Sequence, residues 1–140
     1  MKVFLDANII LDVFDTKRAF HLYSIRVYEY LLKHNHQIFT SCDLITTIYY
    51  VLAKIDKTLA LTNVQKIVKT LQLIHFSNEE IELACNLMLR DEEYKDLEDT
   101  LQYLLAKKQQ CDIILSNDKN YISKDIEIFD TKEFFEKFIK

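Results

Sequence analysis

Hydrophobic positions in this chain fall into two alternating patterns, short unbroken apolar runs and longer stretches in which apolar residues recur every three or four positions. Lys2-Val3-Phe4-Leu5 is a short run that ends in Asp6, the pattern of a buried strand. Ile9, Ile10, Val13 and Phe14 then follow at helical spacing over 8–14. Tyr23, Val27, Tyr30 and Leu31 make one stripe of a longer helix over 19–33. Residues 37–40 read as a second strand. Ser41 or Asp43 is placed to cap a helix that runs through Ile48 and Val51 to about Lys54. Thr58 or Thr62 opens another, which ends near Leu71, and 73–76 predicts a third strand. Asn78-Glu79-Glu80 starts a helix carrying Ile81, Ala84, Cys85, Leu87 and Met88. Asp96 opens a helix over 97–108, followed by strands at 112–115 and 126–129. Thr131 begins a C-terminal helix that takes in 134–139.

Strands that alternate with helices predict an α/β fold, a three-layer sandwich with a mostly parallel central sheet and helices on both faces. No linker, repeat or low-complexity segment divides residues 1–140, and that length suits one domain. Hydrophobic residues make up 49% of the chain, with nine Phe and eight Tyr, enough bulk for a packed core. In folds of this kind the ligand site lies beyond the carboxyl ends of the strands, where the strand order switches direction.

Composition narrows the chemistry. The chain has no Gly and no Pro. Phosphate-cradling loops, dinucleotide fingerprints and nucleophile elbows all need glycine for close approach or positive φ, so they are excluded. Turns fall instead to Asn and Asp, which gives many of these residues a structural role. The three cysteines show no C-x-x-C spacing and read as free thiols of a reducing, cytoplasmic setting. The first residues have no signal-peptide pattern, and no apolar run approaches the roughly 20 residues of a membrane span. A net charge of −4 opposes binding of nucleic acid by bulk electrostatics, so local cations or a metal would have to offset it.

The candidate chemistry lies in carboxylates near strand ends. Asp6 closes the first strand, Asp118 follows the fourth, and Asp96 and Asp99 open the helix before it. Acids gathered from three segments repel one another unless a cation joins them, and Mg²⁺ or Mn²⁺ suits carboxylate and water ligands. Each acid also has a structural reading. Asp6 can cap the helix starting at Ala7, Asp96 and Asp99 have capping-box spacing, and Asp118 can be a turn residue. Asp12 reads as a solvated helix charge. Lys17-Arg18, Lys54 with Lys57, and Lys107-Lys108 can hold flanking phosphates or simply face water. His34 and His36 form an H-x-H pair with no third ligand at zinc spacing.

Three blocks together carry a resemblance. They are V-F-L-D-A-N-I-I-L-D from Val3 to Asp12, D-L-E-D-T-L-Q-Y from Asp96 to Tyr103, and I-L-S-N-D-K-N-Y from Ile114 to Tyr121. In order and spacing the chain resembles the PIN-domain ribonucleases over nearly its whole length. That resemblance implies Asp6, Asp99 and Asp118 as metal-binding and catalytic acids, with Asn8 and Asp96 in support. It also implies a Mg²⁺-dependent (or Mn²⁺-dependent) cut of RNA that leaves a 5′-phosphate and a 3′-hydroxyl. Small members are often toxins, held inactive by a small antitoxin protein and commonly homodimeric. Thr47 stands where the family usually has a glutamate, and Asp43 lies one turn away. Two other readings stay open: a PIN-like module that binds RNA or a partner without cutting, and an aspartyl phosphatase. The second meets Asn8 where it needs a second acid.

Overall fold

A computed structural model describes residues 1–140. The strands are β1 (Lys2–Leu5), β2 (Gln37–Ser41), β3 (Gln72–Ile74), β4 (Ile113–Leu115) and β5 (Glu127–Phe129). They pair in the order β3-β2-β1-β4-β5, and every pairing is parallel. All five were legible in the sequence, with ends shifted by a residue or two. The chain order runs outward from β1 to β2 and β3, then returns to β4 on the other side of β1. The switch point therefore lies between β1 and β4.

Parallel strands covered on both faces should be apolar at every position, and β1 shows why. Val3 and Leu5 belong to one core with Ile38, Ile113 and Leu115, while Phe4 points the other way into a second core with Phe39 and Ile114. The period of two sorts a continuous apolar run onto two faces. Helices α1 (Ala7–Phe14), α2 (His21–Lys33), α3 (Leu44–Ala53), α4 (Lys57–Thr70) and α7 (Thr131–Phe134) pack on the first face. Helices α5 (Asn78–Arg90) and α6 (Leu97–Lys108) cover the other. The result is the expected three-layer sandwich. After α7 the chain continues as a π-helical turn, Phe135–Ile139.

Acidic and hydroxyl caps fix the helix starts. Asp56 rather than Thr58 or Thr62 opens α4, because its carboxylate accepts the Leu59 N–H at 3.0 Å and so satisfies an otherwise free donor. Ser77 with Glu80, and Asp130 with Glu133, make reciprocal capping boxes at α5 and α7. Two helices end in the left-handed residue that glycine usually supplies. Asn35 (φ 56°) follows α2 and Gln110 (φ 58°) follows α6. In each case the next N–H reaches back five residues, His36 to the Leu31 carbonyl at 3.0 Å and Cys111 to the Ala106 carbonyl at 2.9 Å. Asn is the expected substitute at such a site; Gln is not. No helix is long and apolar enough to cross a membrane.

Left-handed geometry costs a residue with a Cβ about 1–2 kcal/mol, part of which glycine's own chain entropy takes back. Gln110→Gly should therefore raise stability by about 0.5–1 kcal/mol. A urea unfolding midpoint that moves up with unchanged slope checks this, and a Gln110→Val variant should move it down.

Candidate active site

Asp6 leaves β1 at the switch point, and its backbone N–H is bonded to the Leu115 carbonyl of β4 at 3.0 Å. Its side chain is only 5% exposed. One carboxylate oxygen accepts the Ala7 N–H at 2.7 Å and the other accepts the Ser116 hydroxyl at 2.8 Å. Asp6 thus caps α1 and also ties the end of β1 to the end of β4. Burial pushes its carboxyl above the ordinary value, bonds from Ser116, Ala7 and Asn8 pull it back, and the charge of Asp118 adds to the rise.

Asp118 lies in the loop beyond β4. Its backbone N–H is bonded to the Ser116 hydroxyl at 3.1 Å, and its Oδ1 accepts the Asn120 N–H at 2.9 Å, an Asx turn. Helix α6 leads directly into β4, so its N-terminus opens on the same edge of the sheet. There Asp96 caps the helix by accepting the Asp99 N–H at 2.9 Å. The structural readings of Asp96 and Asp118 hold, whereas the Asp99 carboxylate makes no reciprocal bond to the Asp96 backbone and so stays available at the switch point.

Among the acids at this edge, Asp99 carries the strongest electrostatic signature. Burial, then the charges of Asp6, Asp96, Asp118 and Glu98, push its carboxyl up to about 7. Glu98 is pushed up as well, first by burial and then by Asp43, Asp6 and Asp96. The five ion pairs of the chain involve Asp12, Asp125, Glu80, Asp91 and Glu93, so none neutralises this group. The positive end of the α6 dipole gives partial relief. A cleft of about 440 Å³ opens over Asp96, Asp99 and Asp118 and also touches Lys95, Lys119 and Asn120.

Glu98 is the acid that sequence reasoning missed. Its signal was the run of three acids within one helical turn, where Glu98 points about a quarter turn away from Asp99. Thr47 is exposed on α3. Asp43, one turn earlier, accepts a hydrogen bond from the Ser41 hydroxyl and lies close enough to Glu98 to raise its carboxyl. Asp43 and Glu98 thus place carboxylates near this end of α3.

Asp12 is not a solvated charge. It is 3% exposed, with Oδ1 at 2.6 Å from the Arg18 guanidinium and Oδ2 accepting the Asn117 side-chain amide at 2.7 Å. Helix α1 is packed by both α2 and α3, so its polar position turns inward and must be paired. Asn117 also takes the Thr131 N–H at 3.0 Å and the Thr131 hydroxyl at 3.1 Å, while its own N–H reaches Asn8 at 3.4 Å. This knot of α1, α2, α7 and the β4 loop holds the residues on either side of Asn117, namely Ser116 and Asp118.

Other sequence candidates lie elsewhere. Arg18 is committed to Asp12, Lys107 to Asp125 at 2.8 Å, and Lys54 sits over the Tyr50 ring at 4.6 Å. His34 and His36 stack near the N-terminal edge of the sheet, with His36 Nδ1 at 2.9 Å from the Met1 amino group.

No three acid, histidine or cysteine side chains are drawn together closely enough to hold a metal ion between them as the chain is folded. The donor set itself is hard oxygen, which fits Mg²⁺ or Mn²⁺, and such ions are commonly held by one or two carboxylates with water completing the shell.

Fold and site define a class: a doubly wound α/β domain with an acidic site at the switch point of a parallel sheet. The sequence profile of the PIN domain matches residues 2–120, and the chain belongs to the PIN-domain family. It is 52% identical over 136 residues to Ribonuclease VapC1 of Aquifex aeolicus, covering 97% of this chain and 94% of that protein. Among solved structures, it resembles VapBC2 of Rickettsia felis bound to a DNA fragment from its promoter, with a TM-score of 0.70 at 18% identity, covering 93% and 98% of the two chains. It also resembles the Mycobacterium tuberculosis toxin VapC20, which cleaves the sarcin-ricin loop, with a TM-score of 0.66 at 15% identity over 80% and 86%. These two distant likenesses speak for the fold.

Because the Asp99 carboxyl moves from 3.8 to about 7 on folding, the native chain binds a proton that the unfolded chain has released between those values. Stability of the metal-free protein should fall as pH rises through that window. Asp99→Asn removes the charge, so its melting temperature should exceed that of wild type by more at pH 8 than at pH 4. Thermal melts in chelator at the two pH values read the difference directly.

Proposed function

We propose that this chain is a metal-dependent endoribonuclease that hydrolyses RNA phosphodiester bonds and acts as the toxin of a toxin–antitoxin pair. One observation carries the reading: Asp99 stands among Asp6, Asp96, Asp118 and Glu98 at the switch point, and none of these acids is in an ion pair with a basic side chain. The 52% identity to a ribonuclease over almost the whole chain gives it a substrate class.

Asp6, Asp99 and Asp118 are the acids that would hold Mg²⁺ or Mn²⁺, with Asn8, Asp96 and Glu98 around them. A bound divalent ion would supply a water of lowered pKa and offset charge on the phosphoryl oxygens. The rest falls to the chain. Ser116 and the Ala7 N–H orient the Asp6 carboxylate through bonds of 2.8 and 2.7 Å. The Asx turn at Asp118 fixes one oxygen on the Asn120 N–H and leaves the other toward the cleft. Asp99 is half-buried and free of side-chain bonds, so its carboxyl oxygens are open to a metal ion once the proton favoured by burial and the neighbouring acids has left.

A small antitoxin protein is the proposed partner, and a homodimer the proposed assembly. Tyr50, Ile55 and Leu59 are 65%, 63% and 51% exposed around the α3–α4 hairpin, which leaves apolar surface suited to protein contact. A second reading rests on Thr47, which leaves the usual fourth acid to Asp43 and Glu98: a module that binds RNA and does not cut.

Labelled RNA incubated with the purified chain should be cut in Mg²⁺ or Mn²⁺ and left intact in chelator. Asp6→Asn should slow the reaction by more than about a hundredfold, since losing a ligand exceeds the effect of losing a residue behind one. Protons compete with metal for these raised carboxylates, so at limiting metal the rate should drop as pH falls. Binding of RNA without cleavage under all these conditions would favour the module.

A further inference from the structure

The cleft above the acids contains two cations that the sequence did not single out. Lys95 sits in the connection between α5 and α6, and Lys119 lies in the loop beyond β4, beside Asp118. Both line the 440 Å³ cleft together with Asp99 and Asp118, and both are exposed. Neither takes part in an ion pair. The contrast with their neighbours is sharp. Lys124 is held by Asp91 at 2.6 Å and Glu93 at 3.6 Å, and Lys107 is held by Asp125 at 2.8 Å. Two lysines thus stay unpaired at a cleft that carries several carboxylates, which is the placement expected of cations that meet an anion from outside.

The cleft offers little for bases. Tyr94 is the one aromatic ring that lines it, and that ring is 5% exposed and packed on Tyr103 with centroids 5.3 Å apart. Stacking on bases needs an accessible ring face. The remaining lining is charged or polar, apart from Ile122. Such a surface suits the sugar–phosphate backbone and reads no sequence.

We propose that Lys95 and Lys119 grip the phosphates flanking the scissile one, so that a single RNA strand crosses the cleft over Asp99 and Asp118 between the two lysines. This rests on the ribonuclease reading of the same site. It assigns phosphate recognition to these two residues and not to Lys17-Arg18, Lys54 with Lys57, or Lys107-Lys108. It also places sequence preference outside this cleft.

The test compares wild type, Lys95→Ala/Lys119→Ala and, as a control on α4, Lys66→Ala. Single-stranded RNA oligonucleotides serve as probe in two assays, cleavage kinetics in Mg²⁺ and equilibrium binding by anisotropy across a salt series. Each phosphate contact on a single strand contributes about 0.7 to the slope of log affinity against log salt, so the double variant should lose about 1.4. Its KM should rise about tenfold with kcat within about twofold, and the cleavage sites should not move. Lys66→Ala should match wild type. An unchanged slope and KM in a double variant that still cuts would overturn the phosphate assignment and leave the nuclease standing. Lysine-dependent binding by a wild type that never cuts would keep the assignment and remove the nuclease. Failure of wild type to bind or cut RNA would remove both.

Discussion

The buried carboxylate of Asp6 is the constraint on which this molecule turns. It stands at the only place in the sheet where neighbouring strands lead their chains away in opposite directions, and it joins β1 to β4 through Ser116. Burying a carboxylate costs heavily unless its oxygens are bonded, and each of the two Asp6 oxygens has a donor. What those donors do not supply is a balancing charge. Asp99, Asp118 and Glu98 arrive at the same edge from other elements and raise the cost further. A fold that collects acids in this way stores repulsion at the site, which a proton on Asp99 or a bound cation would relieve.

The surrounding structure is arranged to keep that repulsion in place. Asn117 joins α1, α2 and α7 to the β4 loop through Asp12, Ser24 and Thr131, so the loop bearing Ser116 and Asp118 cannot swing away. Asp12 in turn is neutralised by Arg18. The two neighbouring acids of the first motif therefore differ in purpose. Asp12 has its cation within the chain and works for the scaffold, whereas Asp6 has none and faces the site.

Much of this could be read from the sequence. All five strands were visible because strands covered on both faces leave unbroken apolar runs, and the placement of Asp6, Asp99 and Asp118 on one edge followed from where the strands end. Three things could not be read. Asp12 reads as a solvated charge from the sequence because nothing local shows that α2 and α3 both pack on α1 and turn its polar position inward. Glu98 was hidden by Asp99, since a one-residue offset on a helix gives no sign of which acid a neighbour such as Asp43 will approach. Lys95 and Lys119 could not be told from other exposed lysines, because what separates them is their place on the cleft beside Asp99 and Asp118, a property of folded geometry. Gln110 shows the same limit for the backbone: a chain without glycine must put some residue at the end of α6, and nothing local says which.

The central claim is that the acids at the switch point are a cation site. Crystals grown without metal and soaked in Mn²⁺ test it most directly, through the anomalous signal of the ion. The account requires a peak at this edge of the sheet, roughly 2.1 Å from a carboxylate oxygen of Asp6, Asp99 or Asp118. Manganese found only on other surface acids, with these three carboxylates unmoved and unliganded at saturating ion, would contradict it.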